Sequence, residues 1–324
     1  MKKISKILGA SALVAAVFTA PTFAETSCTE GNTGLSISPV TKVLTIEGGT
    51  TYDNDVFTVK NVGTAEASFK VYASPYSAAD ENYNMNFSSE TNFTQISRWI
   101  SFKDANGNYL NEVVYTVPAC SEQQISYKIE TPESIPGGGQ YAVIFAEGIN
   151  NSSEGGIKAI SRVGLVVYGR ATGETVNTAE ISNIAISKSI DDTLLKKDGT
   201  RINGVVIHAN STVANTGNVD IVAKTNLTIK NIFGAELYNN TNQTSVLPES
   251  TRKIVDVWED TPYLGLFLAT YSVNAANSAE EVTQLIFILP LPILVAALVL
   301  IAVIVIWIVA LIKKKRARKA RYMV

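Results

Sequence analysis

The chain has 324 residues, with 27 Lys and Arg against 29 Asp and Glu and a formal charge of −2. Those charges are segregated: every acid lies between Glu25 and Glu281, three bases precede residue 25 and seven follow residue 312, which leaves −12 on residues 25–284. Such segregation argues against a soluble cytoplasmic enzyme, and a single His removes most routes to acid–base or metal catalysis.

Residues 1–24 open with Lys2, Lys3 and Lys6, continue through the apolar and small run Ile7–Ala20 and end in Pro21-Thr22-Phe23-Ala24. This pattern predicts a secretory signal peptide cut after Ala24. The apolar run is shorter than the roughly 20 residues a bilayer needs, which disfavours a retained anchor helix.

From residue 33 to 275 no long stretch shows an apolar period of 3.6. Short runs rich in Val, Ile, Tyr, Phe and Thr recur between Gly, Asn, Asp and Pro. Strands are expected at Leu35–Val40, Val43–Glu47, Val56–Asn61, Ala67–Ser74, Val113–Val117, Gln124–Glu130, Gln140–Glu147 and Ile157–Tyr168, with a second series after them. Val113, Tyr115 and Val117 alternate, as do Ile125, Tyr127 and Ile129, the period of a strand with one face on a core. Val59-Lys60-Asn61-Val62-Gly63 is echoed by Val213-Ala214-Asn215-Thr216-Gly217, and Gly139-Gln140-Tyr141 by Gly265-Leu266-Phe267. The echo predicts two tandem immunoglobulin-like β-sandwiches, the first over 25–172 and the second over 173–277. In each Asn-x-Gly the Gly is expected to take the positive φ of a tight turn. The first unit is longer by about 28 residues, measured between the echoed motifs.

The surplus falls in Tyr76–Leu110, where Tyr76, Tyr83, Phe87, Phe93 and Trp99 stand among Asn, Ser and Asp. Exposed rings beside amides and hydroxyls stack on sugar faces and anchor protein interfaces, so these five are the candidate binding residues. The competing reading makes Trp99, in the alternating Trp99-Ile100-Ser101-Phe102, a core residue. Asp104-Ala105-Asn106-Gly107-Asn108 lacks the Gly and Glu positions of a calcium loop and reads as a hairpin turn. Cys28 and Cys120, the only cysteines and both in the expected exported part, are expected to form an intradomain disulfide closing a loop of about 92 residues, the alternative being free thiols or intermolecular pairing. No catalytic motif, cofactor-binding loop, metal-ligand set or nucleic-acid-binding pattern is present in the sequence. Gly137-Gly138-Gly139 precedes a strand and lacks the helix N-terminus that holds phosphate.

Residues 278–284 read as a juxtamembrane linker and 285–312 as a transmembrane helix, since Leu285–Ile312 carries no charge. The seven bases of the 313–324 tail place that tail in the cytoplasm by the positive-inside rule. Leu247-Pro248-Glu249-Ser250-Thr251 departs from a sortase signal and lies far upstream of the apolar run, so the helix is read as the permanent anchor.

The layout and several motifs resemble the bacterial WxL-interacting proteins over nearly the whole chain. Asn215-Thr216-Gly217-Asn218, Ile232-Phe233-Gly234, Val246-Leu247-Pro248-Glu249-Ser250-Thr251-Arg252 and Gly265-Leu266-Phe267 are similar to motifs of that family's second domain. Ser38-Pro39, Gly48-Gly49, Asn61 and Gly137-Gly138-Gly139-Gln140-Tyr141 are similar to positions of its first. The resemblance implies a non-catalytic surface protein, without cofactor, whose first domain attaches to cell-wall polymer (peptidoglycan) and whose second holds a secreted surface protein. A chaperone-like assembly factor for exported surface subunits, working by strand addition at an open edge, is the alternative. The charge of −12 repels anionic wall polymer, so wall binding would rest on stacking and hydrogen bonds and be only weakly reduced by salt.

Overall fold

The computed structural model describes residues 34–149, 161–195, 201–289 and 291–321. The expected signal peptide over 1–24 and Cys28 lie outside them. Among the described residues, the regular structure before 290 is strand apart from a 3-10 turn at Gln95–Arg98, and one apolar helix follows.

The first sandwich comprises β1 (Leu35–Ser38), β2 (Thr41–Ile46), β3 (Thr51–Asn61), β4 (Ala67–Pro75), β5 (Ser77–Ala78), β6 (Met85–Asn86), β7 (Ile100–Lys103), β8 (Tyr109–Leu110), β9 (Glu112–Val117), β10 (Glu122–Glu130), β11 (Gly138–Gly148) and β12 (Arg162–Ala171). A sheet of order β1-β3-β10-β7-β8 faces one of order β2-β12-β11-β4-β9. The chain passes from one sheet to the other across the cis Ser38-Pro39 bond, and β2 then runs parallel to β12. Period-2 alternation turns Phe57, Val59, Ile125, Tyr127 and Ile129 of one sheet toward Phe69, Val71, Ile144 and Leu165 of the other. Each such side chain contributes about 1.5–3 kcal/mol on burial. Trp99 is half-buried against this core, and Asp104 caps the β7–β8 hairpin by accepting from the Asn106 and Asn108 amides at 2.9 and 2.7 Å.

The second sandwich comprises β13 (Ala179–Leu195), β14 (Arg201–Asn215), β15 (Ile221–Asn231), β16 (Glu236–Val246), β17 (Thr251–Trp258), β18 (Gly265–Ala275) and β19 (Ser278–Ile288). Sheets of order β13-β14-β17 and β16-β15-β18-β19 enclose a separate core that includes Ile207, Val213, Leu227, Ile229, Trp258, Tyr271 and Val273.

The sequence echo is an atomic one. Buried Asn61 donates to the carbonyls of Ala65, Val117 and Pro118 and accepts from the Gly63 amide; buried Asn215 donates to those of Val219 and Val246 and accepts from the Gly217 amide. Each Asn thus ties a strand end to two neighbouring segments. The expected reason for the glycines is corrected: neither Gly63 nor Gly217 is among the residues with positive φ. Gly217 is small because a Cβ there would lie 2.2 Å from the Val176 carbonyl oxygen.

β12 ends at Ala171 and β13 starts at Ala179. The expected C-terminal elements are corrected. Residues 278–288 form no linker or membrane segment but β19, paired with β18 from Ala275↔Ser278 to Gly265↔Ile288. Ile286 and Ile288 point into the core, so their apolarity serves the sandwich rather than the bilayer. The helix α1 spans Leu291–Arg321, continuing through the basic cluster, and Ile293–Lys314 is long and apolar enough to cross a membrane.

Candidate functional site

The aromatic insert after β4 lies over the outer face of the β2-β12-β11-β4-β9 sheet. Tyr141, Val143 and Phe145 point to that face and are nevertheless buried. The small β5–β6 hairpin covers part of it: the Phe87 ring packs edge-on to Phe145 at 5.1 Å, and Tyr76 lies 6.2 Å from Phe87 and 6.4 Å from Tyr168. Next to it, the Phe93 carbonyl accepts from the Tyr141 amide at 2.7 Å, and Gln140 donates to the Asn92 carbonyl. Much of the insert's aromatic content therefore forms a third layer over one sheet.

Tyr83 goes elsewhere. A turn in which Asp80 accepts from the Asn84 amide and side chain presents Tyr83 at φ 64° to the second sandwich. Its hydroxyl accepts from the Leu247 amide at 2.9 Å, the Arg252 guanidinium lies 3.9 Å from its ring centre, and the Glu81 carbonyl accepts from the Lys253 amide. The five candidate residues thus do not form one platform: Tyr76 and Phe87 cover a sheet, Tyr83 braces two domains, Phe93 pairs its backbone with β11, and Trp99 stands on the opposite sheet.

The joint that Tyr83 braces gathers several of the motifs on which the family resemblance rests. Asn218 accepts from the Val176 amide at 2.7 Å through its side chain and from the Gly139 amide at 2.7 Å through its carbonyl, while its side-chain amide donates to Glu174 and Gly137 carbonyls. Gly138 has φ +102°, and a Cβ there would lie 2.3 Å from the Asn218 carbonyl oxygen, so the triple glycine is where the two backbones meet. The Tyr141 hydroxyl donates to Asp220 Oδ1 at 3.0 Å and accepts from the Asp220 amide at 2.7 Å, and Arg170 completes the cluster 3.5 Å from Asp220. Burial pushes the phenols of Tyr76, Tyr83, Tyr141 and Tyr168 above the ordinary tyrosine range, and at Tyr141 the Asp220 carboxylate pushes further.

Among the described residues, two of the shallow depressions lie wholly on the first sandwich. One, about 530 Å³, is lined by Trp99, Tyr109, Asn111, Lys128, Glu130 and others on the β7-β8-β10 side. Lys128 lies 5.0 Å from the Tyr109 ring centre and pairs with Glu130 at 2.7 Å, while Arg98 pairs with Glu90, so the cations at this site are neutralised locally. The other, about 460 Å³, is lined by Tyr72, Asn86, Phe87, Ser88 and Arg162. Tyr109 belongs to the aromatic stretch of the sequence but not to its five candidates, and Asn111 and Lys128 were not singled out; the hairpin at Asn106-Gly107, which folds Tyr109 back beside β7, was the available signal. Among the described residues no three His, Cys, Asp or Glu side chains cluster as metal ligands.

No protein-family model and no curated protein matches the chain. Among solved structures, the chain is similar to the class 5 fimbriae chaperone CfaA at 12% identity, covering 80% of this chain and 100% of that one with a TM-score of 0.35. It is similar also to the Escherichia coli chaperone DraB at 10% identity (78% and 98% covered, TM-score 0.33) and to the Pseudomonas aeruginosa CupB2 chaperone at 9% identity (77% and 99% covered, TM-score 0.34).

Proposed function

We propose that the chain is a non-catalytic, membrane-anchored cell-surface binding protein of the WxL-interacting kind, exported by its signal peptide, with its tail in the cytoplasm. In this reading the first sandwich takes a segment of cell-wall polymer in the Trp99–Tyr109 depression, and the second holds a surface protein. The observation that carries it is the pairing there of two accessible rings with the amide of Asn111 and the hydroxyl of Ser101 in about 530 Å³ of open space. Rings stack on the apolar face of a sugar while amides and hydroxyls bond its substituents. With Lys128 and Arg98 already paired to acids, attraction is short-ranged and salt has little to screen. Residues 25–288 should co-sediment with purified sacculi, and Tyr109→Ala with Asn111→Ala should abolish this while Tyr83→Ala leaves it intact. Undiminished sedimentation of the double variant, or loss of wild-type binding at moderate salt, would sink the proposal.

One feature favours the assembly-factor reading: β16 is an eleven-residue edge strand that pairs within its sheet only with β15. An open edge of that length can accept a strand from an exported subunit. A Pro in place of Thr241 should then block complex formation with a secreted partner and leave sacculus binding unchanged.

A further inference from the structure

The second sandwich has two ends. Asn218, Asp220, Leu247 and Arg252 lie at the end that meets the first sandwich. Strand register fixes what lies at the other. Asn231 pairs with Phe267, Gly265 with Ile288, and Ile207 with both Trp258 and Lys188, so the β15–β16 turn, the β17–β18 loop, the exit of β19 and the continuation of the β13–β14 pair past Lys188 and Ile207 share one end. Only residues 289–290 separate β19 from α1. Two extended residues span at most about 7 Å, and the helical residues up to Ile293 add roughly 3 Å. The interfacial layer on one side of a bilayer is itself about 5–8 Å thick. This end of the sandwich therefore stands at the membrane surface wherever α1 spans.

The side chains there are apolar where a solvated loop would be polar. Phe233 is 88% exposed at the tip of the β15–β16 turn, with Ile232 beside it, and Tyr263 is 66% exposed with Leu264 in the β17–β18 loop. Phe287 and Leu285 are exposed on β19 just before the helix. The Phe233 turn is built rather than loose: Asn231 accepts from the amides of Phe233 and Ala235 at 2.9 Å each, and Gly234 takes φ +85° to close it. A rigid turn that holds Phe outward has no intramolecular reason to do so, since burying Phe elsewhere is worth about 1.5–3 kcal/mol.

We propose that the Ile232–Phe233 and Tyr263–Leu264 tips insert into the headgroup layer of the outer leaflet, making the second sandwich a foot that stands on the membrane. This inference rests on the anchoring role of α1. Glu236, Glu259 and Asp260 outnumber the exposed Lys188 and Lys230 at this end, so the contact is shallow and suits a zwitterionic surface, with no gain from anionic lipid. Docking at this end and the joint at the other make the two sandwiches a column, about 35 Å of strand length raising the first above the bilayer, from eleven residues at about 3.3 Å each.

The test uses the full chain in phosphatidylcholine vesicles with lipids brominated either near the acyl carbonyl or deep in the chain. Deep bromines should quench Trp307 of the unsubstituted protein, reporting on α1. In a Trp307→Phe background, where Trp99 and Trp258 set the baseline emission, Phe233→Trp should add an indole whose difference spectrum is blue-shifted and quenched by shallow bromines. Adding anionic lipid should not strengthen that quenching. If Trp307 is quenched while the introduced indole emits as in water and stays unquenched, the foot does not exist though the anchor does. If Trp307 itself escapes quenching, the anchor reading fails and takes the foot with it. A blue shift without lipid quenching that grows with protein density would assign the tips to a second copy of the chain instead.

Discussion

Replacing Asn215 with Ala isolates the device that both sandwiches share. Asn215 is 2% exposed and makes three bonds, to the carbonyls of Val219 and Val246 and from the Gly217 amide, at 2.8–2.9 Å. Ala leaves three buried backbone groups without their partner, at about 1 kcal/mol each, so roughly 3 kcal/mol is lost from the second sandwich. That is about a 150-fold change in its unfolding constant, or near 2 M urea for a domain with a slope of about 1.5 kcal/mol/M. The chain supplies its own reporters: Trp99 packs against the first core and Trp258 within the second. In residues 25–288, urea unfolding followed in Trp99→Phe and Trp258→Phe backgrounds separates the two units. Asn215→Ala should move the Trp258 transition by about that amount and the Trp99 transition far less, and Asn61→Ala should do the reverse. A shift under about 0.5 M in the affected unit, or equal shifts in both, would refute the assignment of these side chains as strand-end ties.

The two sandwiches were legible because alternation in Val113–Val117 and Ile125–Ile129 follows a physical period, and the helix because twenty charge-free residues have few other uses. The insert was not, for a reason of composition. Rings that cover the second face of a sheet and rings that await a ligand look alike in sequence, and only Tyr141-Ala142-Val143-Ile144-Phe145, apolar at consecutive positions, signalled that β11 is buried on both faces. The same ambiguity misplaced β19: Leu285-Ile286-Phe287-Ile288 is as apolar as the membrane segment it precedes, and the alternation that turns Ile286 and Ile288 inward is too short to separate from it. Asp256 was also illegible as a core residue. It sits in the inward register between Ile254 and Trp258, with its carboxylate accepting from Thr225 and from Asn242 of β16. The joint could have been suspected from three consecutive glycines before a strand, which make sense where another backbone must come close.

Three further outcomes are expected. Tyr141→Phe removes both bonds to Asp220 and strands its amide, at about 1–3 kcal/mol, so proteolysis of the 172–178 linker should speed up about tenfold while the Trp99 transition barely moves; unchanged cleavage would refute the joint's role. Non-reducing mass spectrometry of residues 25–288 should show Cys28 and Cys120 bridged, and reduction should destabilise the first sandwich by about 4 kcal/mol in the loop-entropy model; an alkylatable Cys28 would overturn this. Alkaline pH should unfold the β-rich region cooperatively. Burial, with Asp256 nearby, pushes Tyr271 up to about 12, and burial also raises Tyr127 and Tyr141. A phenol whose folded pKa exceeds its unfolded value of about 10 contributes fully below pH 10 and loses that contribution as pH rises toward the folded value. For Tyr271, which is fully buried, the upward shift contributes on the order of 2–3 kcal/mol, and the other buried phenols add to the same side. Tyrosinate absorbance should therefore rise in a step between about pH 10 and 12, together with loss of β-sheet circular dichroism. A smooth titration of all tyrosines near pH 10 with the sheets intact would mean that these rings are not enclosed as the two cores require.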